Sequence, residues 1–196
     1  FHAGRRPGGI PVAGLPNISV WYDAASTAYF SPGNPSSGTN ITQWSDKTAA
    51  SHNANPTGGS NKPSYIAPVD NGYGAVYFNG TNWAVATYTG VGTSTVTADD
   101  TKFHMIGRIF DGTGATNADR LKLRYDGIQQ SLSFTGTINT TTNATQSNMY
   151  LGWDNYPATP TGYWKGYIAE VIILTRTANA LEIQGIKNYL KTKWAL

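Results

Sequence analysis

The stretch from Gly166 to Leu174 is apolar on both faces of an extended strand. Tyr167, Ala169, Val171 and Ile173 fall on one side. Ile168, Ile172 and Leu174 fall on the other, interrupted by Glu170. A strand with no wet face must be covered on both sides. One cover is expected from a second sheet, and the other follows directly in the chain. Asn179-Ala-Leu-Glu182 has a cap residue with an acceptor three places on, the capping-box pattern of a helix start. Ile183, Ile186, Leu190 and Trp194 then recur at helical spacing and predict one apolar stripe. Lys187, Lys191 and Lys193 lie toward the end of that helix, where cations suit its dipole. Gly185 weakens the helix and permits close approach to a sheet.

The rest of the chain reads as short strands and turns. Strands are predicted at Asn17–Asp23, Ile41–Trp44, Gly74–Phe78, Trp83–Tyr88, Lys102–Phe110, Leu121–Tyr125, Ile128–Phe134 and Met149–Trp153. Leu121, Leu123 and Tyr125 alternate with Lys122 and Arg124, which implies one wet face. Asn79-Gly80 and Asp126-Gly127 are hairpin signals. Tyr29–Asn40, Ala49–Pro63, Asp111–Asp119 and Asp154–Gly162 read as loops, and Thr135–Ser147 as a Thr/Asn-rich stretch holding an exposed edge strand. Many short strands and one helix predict an all-β sandwich or barrel. Residues 1–16 stand apart as a Gly/Pro-rich extended arm, too dense in both to make a helix or central strand. Residues 17–196 form the domain.

Composition narrows the function classes. Charged residues are 13% of the 196, against about 25% in typical globular domains. Gly, Thr, Asn and Ser take their place, as suits a loop-rich β protein. There is no cysteine, so the core alone must supply stability. The net charge of +3 is scattered or sits on the last helix. It makes no concentrated basic face, so no nucleic-acid partner is expected. No apolar run approaches the ~20 residues of a membrane-spanning helix.

Several segments together resemble a known family. They are Val20-Trp-Tyr-Asp-Ala24, Gln43-Trp-Ser-Asp-Lys47, His52-Asn-Ala54, Asn71-Gly72 leading to Ala75-Val-Tyr-Phe-Asn-Gly80, Tyr163-Trp-Lys-Gly-Tyr-Ile-Ala-Glu-Val171 and Tyr189-Leu-Lys-Thr-Lys-Trp194. Their order resembles the concanavalin A-like, laminin-G-like jelly-roll domains of bacteriophage virion proteins and bacterial surface proteins. The resemblance implies a two-sheet antiparallel jelly-roll sandwich with one C-terminal α-helix packed on a sheet. It implies core positions for Trp21, Trp44, Phe78 and Trp164. The arm lies outside it, and residues 89–147 match only as generic strands.

The fold hosts lectins, glycosidases and purely structural modules, so function must be argued from sites. Glycoside hydrolysis needs two carboxylates across a cleft. The chain has only two glutamates. Glu182 is explained by the helix cap. Glu170 sits alone in an apolar strand, and its expected role is to accept hydrogen bonds from backbone or from a buried Trp or Tyr. No Gly-x-Ser-x-Gly elbow and no phosphate-binding loop occurs. The reading is not an enzyme, with glycoside hydrolase as the remote alternative. Asp111, Thr113, Asn117 and Asp119 offer oxygens at even spacing, as calcium would require. The alternative is an ordinary polar hairpin loop, since the spacing departs from known calcium loops. Trp153-Asp-Asn-Tyr156 pairs aromatics with groups that read sugar hydroxyls. Its alternative is packing on the rim.

The expected function is surface contact without turnover: a virion structural protein, as capsid decoration or tail-associated adhesion. It would sit on the virion surface, in a homo-oligomer or larger assembly. The arm, extended by residues such as Pro7, Pro11 and Pro16, would join neighbouring subunits, with Arg5 and Arg6 meeting acidic groups; the alternative is that it packs back onto its own domain. The alternative is a lectin-like domain of a secreted or cell-surface protein, binding host or environmental glycans.

Overall fold

The structure, a computed structural model, describes residues 14–15, 17–56, 62–79, 91–93, 102–141, 151, 153–154 and 162–196. In chain order the strands are β1 (Ile18–Asp23), β2 (Phe30–Ser31), β3 (Gln43–Trp44), β4 (Ser64–Asp70), β5 (Tyr73–Asn79), β6 (Val91–Thr93) and β7 (Ile106–Phe110). A single turn of helix, α1 (Asn117–Arg120), precedes β8 (Leu121–Tyr125), β9 (Ile128–Gln130) and β10 (Ser133–Thr135). Then come β11 (Trp153–Asp154), β12 (Gly162–Tyr163), β13 (Lys165–Ile168), β14 (Glu170–Leu174) and the long helix α2 (Ala180–Trp194). Every strand pairing among the described residues is antiparallel. The chain is thus mostly β, in several antiparallel sheets, with one C-terminal helix.

Two sheets position the site. β1 pairs with β14, and β5 lies between β13 and β4. The run expected as one strand from Gly166 to Leu174 therefore divides at Ala169. Its first half pairs with β5 and its second with β1. At the crossing, the Ala169 carbonyl accepts the Ala24 N–H at 3.0 Å. The side-chain alternation slips there by one residue. Tyr167 and Ala169 lie on the helix side of β13, but Val171 and Ile173 of β14 pack into the main core. The expectation that all four share a face is corrected. A one-residue slip turns a strand over, and periodicity within either half cannot reveal it.

The main core joins Val20, Tyr22, Ala24, Phe30, Ile41, Trp44, Tyr65, Val76 and Phe78, with Ile168, Val171 and Ile173 against it. The opposite side of the same strands carries α2. Trp194 packs on Ala75 and Ala169 beside Leu190, while Tyr189 meets Trp21 edge-on at 6.4 Å. The helix so lies across both sheets. Its start is the expected capping box: Asn179 accepts the Glu182 N–H at 3.0 Å, and Glu182 accepts the Asn179 N–H at 2.9 Å. Gly185 is buried, as close approach requires.

Other expectations need correction. β4 has no counterpart among the predicted strands. β4 sits at the edge of its sheet, and its register shifts between Ile66 and Asp70, where proline is tolerated. Ile128–Phe134 is two strands, since β10 leaves β9 to pair with β6. Only Ile106–Phe110 of the stretch from Lys102 is strand. The loop expected over Asp111–Asp119 ends in α1. Trp164, expected in the core, is 45% exposed. Asn71-Gly72 and Asp126-Gly127 close their hairpins with φ of 45° and 78°, and 50° and 80°. Two successive positive φ values suit these residue types. Gly80 and Trp83–Tyr88 lie outside the described residues.

Candidate functional site

Strand register creates a charged cluster under the helix. β1 and β14 place Asp23 directly opposite Glu170, and Trp21, two residues before Asp23, shares that face. From above, α2 lowers Tyr189, Lys193 and Trp194, spaced to fall on one side of the helix. The Glu170 side chain is 2% exposed and accepts four hydrogen bonds. Trp21 Nε1 (2.7 Å) and the Tyr189 hydroxyl (2.9 Å) donate to Oε1. Trp194 Nε1 (2.8 Å) and Lys193 Nζ (3.0 Å) donate to Oε2. Two donors per oxygen fill the acceptor sites of an ionised carboxylate. The sequence expectation that Trp or Tyr satisfies Glu170 is met by both.

Asp23, also buried, accepts Lys193 Nζ at 2.5 Å and Lys47 Nζ at 2.8 Å, with the Ser26 hydroxyl at 2.9 Å and the Ala25 N–H at 3.1 Å. The Lys47 ammonium lies 4.2 Å from the centre of the Trp21 ring. Two carboxylates and two ammoniums thus balance out of water, as buried charges must. Burial alone would push the Asp23 carboxyl up. The bonds from Lys193 and Lys47 outweigh it and hold the group below the usual carboxylate range. Burial, and then the charge of Glu170, push the Tyr189 phenol up, so it remains a donor. Lys193 was expected to serve the helix dipole. Instead it turns inward between the acids.

A third carboxylate explains the Gln43–Lys47 and His52–Ala54 segments. Asp46 is buried and accepts the backbone N–H groups of Trp21 (2.9 Å), Thr48 (2.9 Å) and His52 (3.1 Å), and the Thr48 hydroxyl (2.6 Å). Burial raises its pKa, but these donors bring it below the ordinary value. Trp44 and Ala54 exchange backbone hydrogen bonds at 2.8 and 2.9 Å. The Tyr22 hydroxyl donates to the His52 carbonyl, and burial, then Asp46, push that phenol up to about 12. These residues form a locked corner beside β1. The sequence signal for it was a short polar motif wedged between aromatic strands.

The four oxygens suggested for calcium do share the β7–β8 connection, but each carboxylate is engaged locally. Asp111 Oδ1 accepts the Thr113 N–H (3.0 Å) and hydroxyl (2.6 Å). Asp119 Oδ2 accepts the Thr116 N–H (3.0 Å) and hydroxyl (2.7 Å), in a second capping box. Asn117 Oδ1 accepts the Ile138 N–H and its Nδ2 donates to the Gly136 carbonyl, both at 2.9 Å. The bonds from Thr113 and Thr116 hold the two aspartates below their ordinary pKa. Arg120 ties the same turn to the Gly114 and Ile138 carbonyls. Among the described residues no three His, Asp or Glu side chains gather as a metal would need.

The sugar-reading segment lies largely beyond what is described. The backbone of Trp153 and Asp154 pairs with Tyr163 and Gly162, and Asn155 and Tyr156 lie outside the described residues. Arg5, Arg6, Pro7, Pro11 and Pro16 of the arm also lie outside them. Leu15, within the stretch read as arm, is buried at 6%. Asp23, Asp46 and Lys47 stand in segments that carry the resemblance, but no role was expected of them; their local signal was a charge next to aromatic strand residues. Comparison with family models, with curated proteins and with solved structures found no match, so the functional reading is carried by the residues themselves.

Proposed function

We propose that this chain is a non-catalytic contact module, a concanavalin A-like jelly-roll sandwich carried on a bacteriophage virion as capsid decoration or tail-associated adhesion protein. One observation carries the non-catalytic part. Glu170 is the glutamate that acid–base chemistry would have to use, and four protein donors occupy it. A general acid or base needs an oxygen that reaches substrate. The neighbouring acid, Asp23, is bonded to two lysines. Both carboxylates work as a clasp for α2. The virion part is supported by the sequence resemblance and by a Gly/Pro-rich arm suited to joining subunits.

The test compares the full chain with one starting at Gly14, which keeps the buried Leu15. Light scattering reads assembly and thermal melting reads the fold. The truncated chain should melt as the full chain does and lose self-association. Equal assembly by both would remove the arm from the reading. Polysaccharide hydrolysis by the full chain, abolished in Glu170→Gln, would overturn the non-catalytic assignment.

A further inference from the structure

On the helix side of β4, β5 and β13, Trp194 covers Ala75, Phe103 borders Tyr167 at 6.2 Å, and two rows of side chains stand beside them. In the first, Tyr77 stands opposite Tyr167 on one side and Ser64 on the other. In the second, Asn79 stands opposite Lys165. The two tyrosine rings are 5.0 Å apart and inclined at 46°, which makes a continuous ledge. Tyr167 is 41% exposed, and Lys165 and Asn79 are exposed beside it. Among the described residues neither tyrosine hydroxyl has a hydrogen-bond partner and Lys165 has no ion pair. The acid on the same sheet, Asp70, pairs with Tyr73, four residues along β5 from Tyr77.

We propose that Tyr77, Tyr167 and Lys165 form a binding face for an acidic polysaccharide, with a uronate sugar seated on the tyrosine ledge. The apolar face of a pyranose lies on an aromatic ring. The phenol groups read its hydroxyls, and the lysine ammonium takes its carboxylate. A single-stranded nucleic acid also stacks on aromatics, but it needs a groove of cations along its phosphates. Among the described residues of these strands, Lys165 is the one lysine, which matches a sugar acid that carries one carboxylate per residue or per disaccharide. The proposal rests on the contact-module reading only in using the outer surface. Its test reads ligand binding, whereas that reading is tested by assembly and turnover.

The experiment is calorimetric titration of the full chain with oligogalacturonate, oligomannuronate, hyaluronan fragments, methyl-esterified oligogalacturonate and a ten-residue oligothymidylate. Saturable binding of at least one uronate oligomer is expected, with weaker binding of the ester where galacturonate is the ligand. Tyr167→Ala should weaken it at least about tenfold. Lys165→Gln should weaken the free acid and leave the ester unchanged. Ile128→Ala, which alters a 66% exposed residue on another sheet, should change nothing. If Tyr167→Ala melts early, Lys165→Gln decides, because that side chain is exposed. No saturable uronate binding, equal binding of oligothymidylate, or insensitivity to both variants would overturn the proposal.

Discussion

Asp23 and Glu170 face each other across β1 and β14, and Lys193 joins their carboxylates at 2.5 and 3.0 Å. The first and last strands and the last turn of α2 therefore meet at one ammonium. Removal of the Glu170 carboxylate leaves the Trp21 and Trp194 indole N–H groups and the Tyr189 hydroxyl without their acceptor, and leaves Lys193 with the Asp23 carboxylate alone. Glu170→Ala should cost about 3–5 kcal/mol, the usual effect of breaking a buried pair from one side. Urea denaturation measures it. A loss below about 1 kcal/mol would mean that the clasp is ornamental.

Acid should unfold the protein through the same groups. Asp23 and Asp46 titrate below their ordinary value, and Arg176, with the Asn179 N–H, pulls Glu182 down to about 2. A carboxylate that holds its proton less tightly when folded stabilises the fold above its unfolded pKa. That stability is lost as pH falls through the folded value. The melting temperature should decline from roughly pH 4.5 toward 2. Tyr22 has the opposite sign: raised from 10.0 to about 12, it contributes stability below pH 10 that disappears as pH climbs through about 12. A melting temperature constant from pH 5 to 2 would contradict the acid half.

The β7–β8 connection should keep its shape without an ion. Its aspartates already accept from Thr113 and Thr116. Thr116→Ala should cost about 1 kcal/mol through loss of the cap. Millimolar calcium or a chelator should leave the melting temperature of the unaltered chain where it was. A calcium-dependent rise that vanishes in Asp111→Asn would instead assign this loop to metal.

Gly112 and Gly38 should respond differently to alanine. A Cβ at Gly112 would collide with the Thr140 carbonyl, which is backbone and cannot swing away. The expected loss is about 1–3 kcal/mol, with local distortion of the loop. Gly38 has open space around it, but its φ of 90° disfavours a side chain, so the expected loss is about 1 kcal/mol. Chemical denaturation of the two variants separates the causes. A milder effect at Gly112 would show that the loop yields.

The cap of α2 gives the simplest check on how the helix is held. Asn179→Ala removes the acceptor for the Glu182 N–H and should cost about 1 kcal/mol. Helical circular dichroism and melting together report it. An unchanged melting temperature would place the stability of α2 entirely in Tyr189, Lys193 and Trp194.

Much of this was local information. The period of the strands, the Asp126-Gly127 turn, the capping box at Asn179 and the stripe ending in Trp194 were legible, because each is a relation between residues a few places apart. The need of Glu170 for Trp or Tyr donors was legible for a similar reason, since a lone acid in an apolar strand must be satisfied. Which strands become neighbours is a relation across the whole chain, and only the tertiary structure decided it. It divided the run at Ala169 between two sheets, set Asp23 opposite Glu170 and turned Lys193 inward. It also left Trp164 in the open and seated Pro68 on an edge. The tyrosine ledge belongs to the same class. Tyr77 and Tyr167 are ninety residues apart in sequence and touch only because β5 and β13 pair in that register.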